Sequence, residues 1–392
     1  MRRFDVRAPS GELIEGLSGQ DVVHLAKAGR ITAEHLIRQQ GQEGWRLVRS
    51  TPQVAAHLQP GDTQAERPSV GGRPIATGGG GRGTRMRWVL AAAAVVVTAV
   101  VTAVVIGTVR LSPPTAAGDI GWYEVLEAEV NPAVVSNEQL RRSIAATGLP
   151  WRVRDRGTQI EMILIPPGEY QRGCSPALQF GCLSDESPVH SVVLTRPVYV
   201  GRYEVTQAQW QAKMGSNPSA FQSATLLVAA DQVSSRPVER VSWNMIQGFL
   251  SATGMRLPTE AEWEWAYRAG TTTAFHSMPG YPEGTSDGTR ATGIAWFEDN
   301  AGGQTRPVGQ RWGNGFGLHD MAGNVWEWVH DWYGPYSQVP LTNPPGPVSG
   351  SQRVFRGGCC DKVVNSVRAS IRLPAHPEHA AYNIGFRVAR DP

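Results

Sequence analysis

Apolar and polar positions along the chain fall into three regimes, and each predicts a different kind of element. From Trp88 to Val109 the run WVLAAAAVVVTAVVTAVVIGTV holds 22 positions without a charge. At ~1.5 Å per residue a helix of that length crosses a hydrocarbon core of ~30 Å, so a transmembrane helix is predicted over 88–109. Ahead of it, FDVRAPSGELIEGL alternates about a turn and predicts a β-hairpin, while SGQDVVHLAKAG predicts a helix capped by Ser18 and stopped by Gly29. Behind it, SNEQLRRSIAATG predicts a short helix with Ser136 as N-cap and Gly148 at its C-terminal end. From Glu161 onward short apolar stretches such as EMILIPPGEY are closed by Gly or Pro, the pattern of many short strands. In the same region TQAQ and TEAE are capping boxes, in which Thr206 with Gln209 and Thr259 with Glu262 can satisfy backbone donors reciprocally at two helix starts.

The pattern divides the chain into a small α+β module at 1–58, a Gly/Pro-rich linker at 59–87, the membrane helix at 88–109, a stalk at 110–160 and a large α+β domain at 161–392. The linker, with GGRPIATGGGGRG, has too little apolar surface to bury a core. Composition sharpens the picture of the large domain. Nine of the 13 tryptophans lie between Trp210 and Trp332, so aromatic anchors rather than long helices organise its core. Charge fixes the orientation. Arg82, Arg85 and Arg87 precede the apolar run, and Arg110 follows it with no further basic residue before Arg141, which places the N-terminus in the cytoplasm and residues 111–392 outside. The expected location is the cell membrane as a single-pass protein, with the C-terminal domain periplasmic where the cell has an outer membrane. No Lys/Arg run with interleaved aromatics is present, which sets nucleic acid aside as a partner. Cys174 and Cys182 flank the loop SPALQFG in the part placed outside, where disulfides persist, and a bridge between them is predicted.

The stretches PVERVSWNMIQGFL, GMRLPTEAEWEWAYRAG, RPVGQRWGNGFGLHDMAGNVWEWVHDWY, RVFRGG and NIGFRVAR occur in an order that resembles the formylglycine-generating enzyme (sulfatase-modifying factor) family. The resemblance covers about 161–390 and implies a compact α+β, C-type-lectin-like fold with little regular secondary structure. The N-terminal segment, through Gly29-Arg30-Ile31 and Trp45, resembles GYF-like modules that stand ahead of membrane anchors.

In formylglycine generators, as the resemblance implies, two cysteines bind Cu(I) and the enzyme uses oxygen to oxidise a sulfatase cysteine. Those cysteines stand four and nine positions after the second Gly of RGG, where this chain has Lys362 and Val367. Neither residue supplies the soft thiolate that Cu(I) needs, so copper is not expected. The adjacent pair Cys359 and Cys360 is the only catalytic candidate left. In an extended segment their side chains point to opposite faces and cannot clamp one ion. The resemblance also implies a structural calcium held at Asp320, by the carbonyls of Gly323 and Val325, and by the carboxylate of Glu327; hard oxygens suit that ion. The family's Arg-rich closing strands contribute Arg356, Arg368, Arg372 and Arg387, expected as core salt-bridging residues, and HPEH at 376–379 reads as solvated surface.

Three functions follow. The first is a membrane-anchored module that binds an extracytoplasmic protein, peptide or glycan, with the copper chemistry lost. The second is an oxygen-dependent formylglycine-generating or non-haem iron oxidase on the same scaffold. The third is a binding protein diversified by a retroelement over residues 359–383, between RGG and IGFR.

Overall fold

The computed structural model describes residues 3–8, 13–27, 31–32, 34–40, 44–48, 54, 121–175 and 181–392. Residues 1–63 and 122–392 group into one compact unit. The apolar run 88–109, the linker 59–87 and the loop tip 176–180 lie outside the described residues. Among the described residues no helix is long and apolar enough to cross a membrane.

The hairpin read near the N-terminus is formed by β1 (Arg3–Arg7) and β2 (Leu13–Ser18), which pair antiparallel, and α1 (Gly19–Lys27) follows. β3 (Leu36–Gln39) and β4 (Arg46–Leu47) complete a sheet of order β2-β1-β3-β4. Its apolar residues, among them Val6, Ile14, Val22 and Ile37, form one cluster with Leu227 and Val228 of the large domain. Arg3 adds an ion pair to Asp299 at 2.5 Å. A single membrane crossing at 88–109 would place these two parts on opposite sides, so docking and crossing exclude one another in one molecule.

Much of the segment expected as a stalk is part of the large fold. β5 (Tyr123–Glu127) and β6 (Arg152–Asp155) flank α2 (Glu138–Ala145) and join β7 (Glu161–Ile165). The cap of α2 is Asn137, whose side chain accepts from the Leu140 amide, and not Ser136, because the helix begins at Glu138 and Asn137 is the residue that precedes it. β8 (Gly168–Arg172), β9 (His190–Leu194) and β10 (Val198–Gly201) come next. α3 (Gln207–Met214) and α5 (Glu260–Arg268) begin at Thr206 and Thr259 with both capping boxes formed, and α4 (Trp243–Thr253) lies between them. The remaining elements are β11 (Ala295–Trp296), α6 (Glu298–Ala301), β12 (Ala322–Gly323), β13 (Trp326–Trp332), β14 (Leu341–Thr342), β15 (Arg353–Arg356), β16 (Arg372–Ala375), β17 (Ile384–Phe386) and β18 (Ala389–Arg390).

Two sheets position the candidate site. One runs β18-β10-β7-β6-β5, so the C-terminal strand closes against the first half of the domain; the other runs β16-β15-β13-β17. In the second sheet Glu327 stands opposite Arg356 and beside Gly385. Trp151, Trp263, Trp328, Tyr199 and Phe249 are fully buried between the elements. Bulky rings fill volume that short helices and strands cannot close by backbone packing alone.

Candidate functional site

β15 ends in Arg356, and Gly357 and Gly358 then turn the chain at φ +93° and +76°. A Cβ at Gly358 would lie 2.5 Å from Val367 Cγ1, so the turn admits only glycine. Behind it Cys359 and Cys360 are both closed to solvent, and they enter different clusters. Cys359 joins the main core, whereas Cys360 packs with Trp296 and Ala301. Burial pushes both thiols well up, helped at Cys359 by its neighbour Cys360 and by Asp361, and at Cys360 by Asp361. A Cu(I) site uses thiolates, and burial disfavours that charged form at both sulfurs.

The residue after the pair gathers the local polar groups. Asp361 accepts from the Cys359 thiol at 3.0 Å, the Tyr382 hydroxyl at 2.6 Å and Asn383 Nδ2 at 3.1 Å. Burial alone would raise its carboxyl, but these donors hold it below its ordinary value. Lys362, at the first family cysteine position, points to solvent. Val367, at the second, is fully buried, and its carbonyl accepts from the Tyr267 hydroxyl.

The second constellation surrounds Asp320 and Glu327. Asp320, Gly323 and Asn324 all have positive φ, which folds the backbone tightly ahead of β13. Asp320 Oδ2 accepts from the Gly309 amide at 2.6 Å, and its Oδ1 is buried without a hydrogen-bond partner. Glu327 is engaged on both oxygens. Oε1 accepts from Arg387 Nη2, and Oε2 from Arg387 Nε and Trp263 Nε1, each at 2.7 Å. A third carboxylate, which the sequence reading missed, is Glu204 in GRYEVT: it accepts from Asn324 Nδ2 at 2.6 Å and the Val325 amide at 3.1 Å. Burial, then the charges of Asp320 and Glu327, push Glu204 well up, and burial pushes Asp320 up to about 6. Arg387 is the one cation hydrogen-bonded within this group of three acids among the described residues. The surplus of buried negative charge and the orphaned Oδ1 fit a hard divalent cation at Asp320. Glu327 fits less well, because Arg387 and Trp263 already hold it.

The arginines of the closing strands bind acids of the core. Glu260 pairs with Arg172 and Arg356 at 2.6 Å each and with Arg372 at 2.7 Å; Glu264 pairs with Arg268 and Arg356; Glu186 pairs with Arg368. The sequence offered one signal for these acids, the helix EAEWEWAYR, in which Glu260 and Glu264 share a face. Cys174 and Cys182 form the disulfide read from their spacing. Among the described residues the one group of three His, Cys, Asp or Glu side chains whose ligand atoms all lie within 4.8 Å of one another is Cys174, Cys182 and Glu186, and two of its members are spent in that disulfide. His376 and His379 are exposed and share a turn, with the His379 amide on the His376 carbonyl.

Residues 150–392 match the sulfatase-modifying factor enzyme 1-like domain. The chain is 31% identical over 294 residues to a formylglycine-generating enzyme of Streptomyces coelicolor, covering 61% of this chain and 91% of that protein. It is 33% identical over 228 residues to the formylglycine-generating enzyme of Mus musculus, covering 54% of this chain and 56% of that one. Among solved structures, Treponema denticola variable protein 1 superposes with a TM-score of 0.52 at 28% identity, covering 59% of this chain and 95% of that chain. The α+β architecture described above is thus shared with C-type-lectin-like relatives, and over residues 150–392 this chain belongs to the sulfatase-modifying factor enzyme 1-like family.

Proposed function

We propose that this chain is a membrane-anchored, extracytoplasmic member of its family that binds a protein, peptide or glycan and does not make formylglycine. One observation carries the reading: the two positions that need convergent thiolates hold a solvent-facing Lys362 and a buried Val367, while Cys359 and Cys360 are buried in separate clusters. The test is to expose the copper-loaded protein to oxygen and a sulfatase-motif peptide. The peptide cysteine stays unchanged and no oxygen is consumed. Formylglycine that disappears in Cys359→Ser or Cys360→Ser overturns the reading and makes the pair a rearranged active site.

The binding face is the segment 359–383, which exposes Lys362, Val363, His376 and Tyr382. A second reading, diversification of that face by a retroelement, is favoured by the likeness to a variable protein. A template repeat and a reverse transcriptase in the neighbouring DNA decide it. Calcium bound at Asp320, with Gly323 and Val325 carbonyls and a share of Glu327, supplies positive charge to the three buried acids and stiffens the loop ahead of β13. Anchoring through 88–109, with the weakly GYF-like module inside as an adaptor, requires the module to leave its dock on Leu227 and Val228 once the large domain has crossed.

A further inference from the structure

The far end of β13 and the start of β15 build a second place in the fold that the family resemblance does not account for. Trp332 stands opposite Arg353 in the ladder. The Arg353 guanidinium lies 3.5 Å from the centroid of the Trp332 ring and 3.8 Å from that of Trp243. The residue is only 9% exposed. Nη1 donates to the His330 carbonyl, and Nε is buried with no partner. Arg172, Arg268, Arg356, Arg368, Arg372 and Arg387 each meet a carboxylate. Arg353 makes no ion pair among the described residues. The acid whose charge acts on Arg353, Asp331, is itself buried, with Oδ2 on the Glu260 amide at 2.7 Å. Burial and then the charge of Glu260 push that carboxyl up to about 7, so it balances Arg353 only in part near neutral pH. His330, the other titratable wall, is held below its ordinary value by burial and then by Arg353 and Arg256, and it is neutral there.

A cavity of about 300 Å³ opens beside this cation, lined by His330, Trp332, Pro345, Pro347, Val348 and Arg353. Its outer wall is held in shape. Pro345 and Pro347 fix their own φ, and Gly346 between them sits so close that a Cβ would meet Asp331 Oδ1 at 2.5 Å. Val348 is fully exposed at the loop. The volume is at the lower end of small-molecule sites, roughly 300–1,000 Å³. The lining holds an indole, two prolines and a valine, and no side-chain amide or hydroxyl, so it offers little to a neutral sugar. A buried cation with no ion pair among the described residues, only partly balanced by Asp331, and an apolar wall call for a ligand that carries both complements.

We propose that this cavity binds a small organic carboxylate with a flat apolar body, the acid on the Arg353 guanidinium and the body against Trp332 and Pro347. The cavity lining includes no residue of the binding face at 359–383, although Arg353 pairs with Ala375 of that segment in the ladder.

The probe is benzoate, titrated into the full-length chain in detergent at low salt and followed by ligand-observed NMR. Its neutral isostere benzamide and the bodiless acid acetate are run in parallel. Arg353 is too buried to change safely, so the charge is varied at exposed Val348. Benzoate binds saturably, and benzamide and acetate bind about tenfold more weakly, as expected for loss of a charge-assisted hydrogen bond or of apolar burial. Val348→Asp weakens benzoate several-fold and leaves benzamide unchanged, whereas Val348→Lys does not weaken it. Equal binding of benzoate and benzamide, no saturable binding of benzoate, or a Val348→Asp variant that binds benzoate as the parent does or loses both ligands alike overturns the proposal.

Discussion

Replacing Asp320 by asparagine removes the one buried acid of its cluster that has an oxygen without a partner. In the native fold burial pushes that carboxyl up to about 6 from an ordinary value of 3.8. A folded-state pKa above the unfolded one means that the native state keeps a proton that the unfolded chain has already released. Native stability therefore falls as pH rises between about 4 and 6 and stays lower above that window. At ~1.4 kcal/mol per pKa unit the buried charge costs about 3 kcal/mol at neutral pH. Asparagine retains an oxygen for the Gly309 amide and carries no charge. In chelator at pH 7 the variant should thus be more stable than the parent by about 2–3 kcal/mol, which for a domain of this size is roughly 5–10 °C in Tm. The gain should vanish near pH 4. In millimolar calcium the sign should reverse, because an ion held by Asp320 offsets its charge and stabilises only the parent's native state. The assay is thermal unfolding followed by tryptophan fluorescence, in chelator and in calcium at both pH values. A variant that is destabilised in chelator refutes the account of Asp320, and one that responds identically with and without calcium refutes the metal.

Glu327→Gln should cost about 3–5 kcal/mol in urea unfolding with or without calcium, because it leaves Arg387 buried beside a neutral partner; a loss seen in calcium alone would return Glu327 to a purely metal-binding role. Peptide mass spectrometry without reductant should show Cys174 joined to Cys182, and the double serine variant should lose roughly 2–3 kcal/mol by the loop-entropy relation. Free thiols at both positions in protein from the cell envelope would contradict the bridge. Protease added outside intact spheroplasts should remove the large domain and spare residues 1–87; cleavage of both parts would mean that the module stays docked on Leu227 and Val228 and that 88–109 does not separate them.

What the sequence determined by itself are the features written in neighbouring residues. Both capping boxes, Thr206 with Gln209 and Thr259 with Glu262, close over three positions and need nothing from the rest of the chain. The Cys174–Cys182 bridge spans a short loop, and the replacement of the copper thiolates by Lys362 and Val367 is a matter of residue type and spacing. The order of motifs carried the α+β fold for the same reason. Even here, the choice of Asn137 over Ser136 as cap depended on backbone geometry that two adjacent capping residues leave open. Tertiary structure decided everything that depends on burial and on partners distant in sequence. Cys359 and Cys360 are neighbours whose sulfurs belong to different cores. Glu327 looked like a free ligand until Arg387 and Trp263, each some sixty residues away along the chain, were found on its oxygens. Glu204, Asp331 and Arg353 carried no local signal at all. Their properties come from desolvation, which raises the cost of an unpaired charge and so makes the identity of a distant partner, or its absence, the deciding quantity.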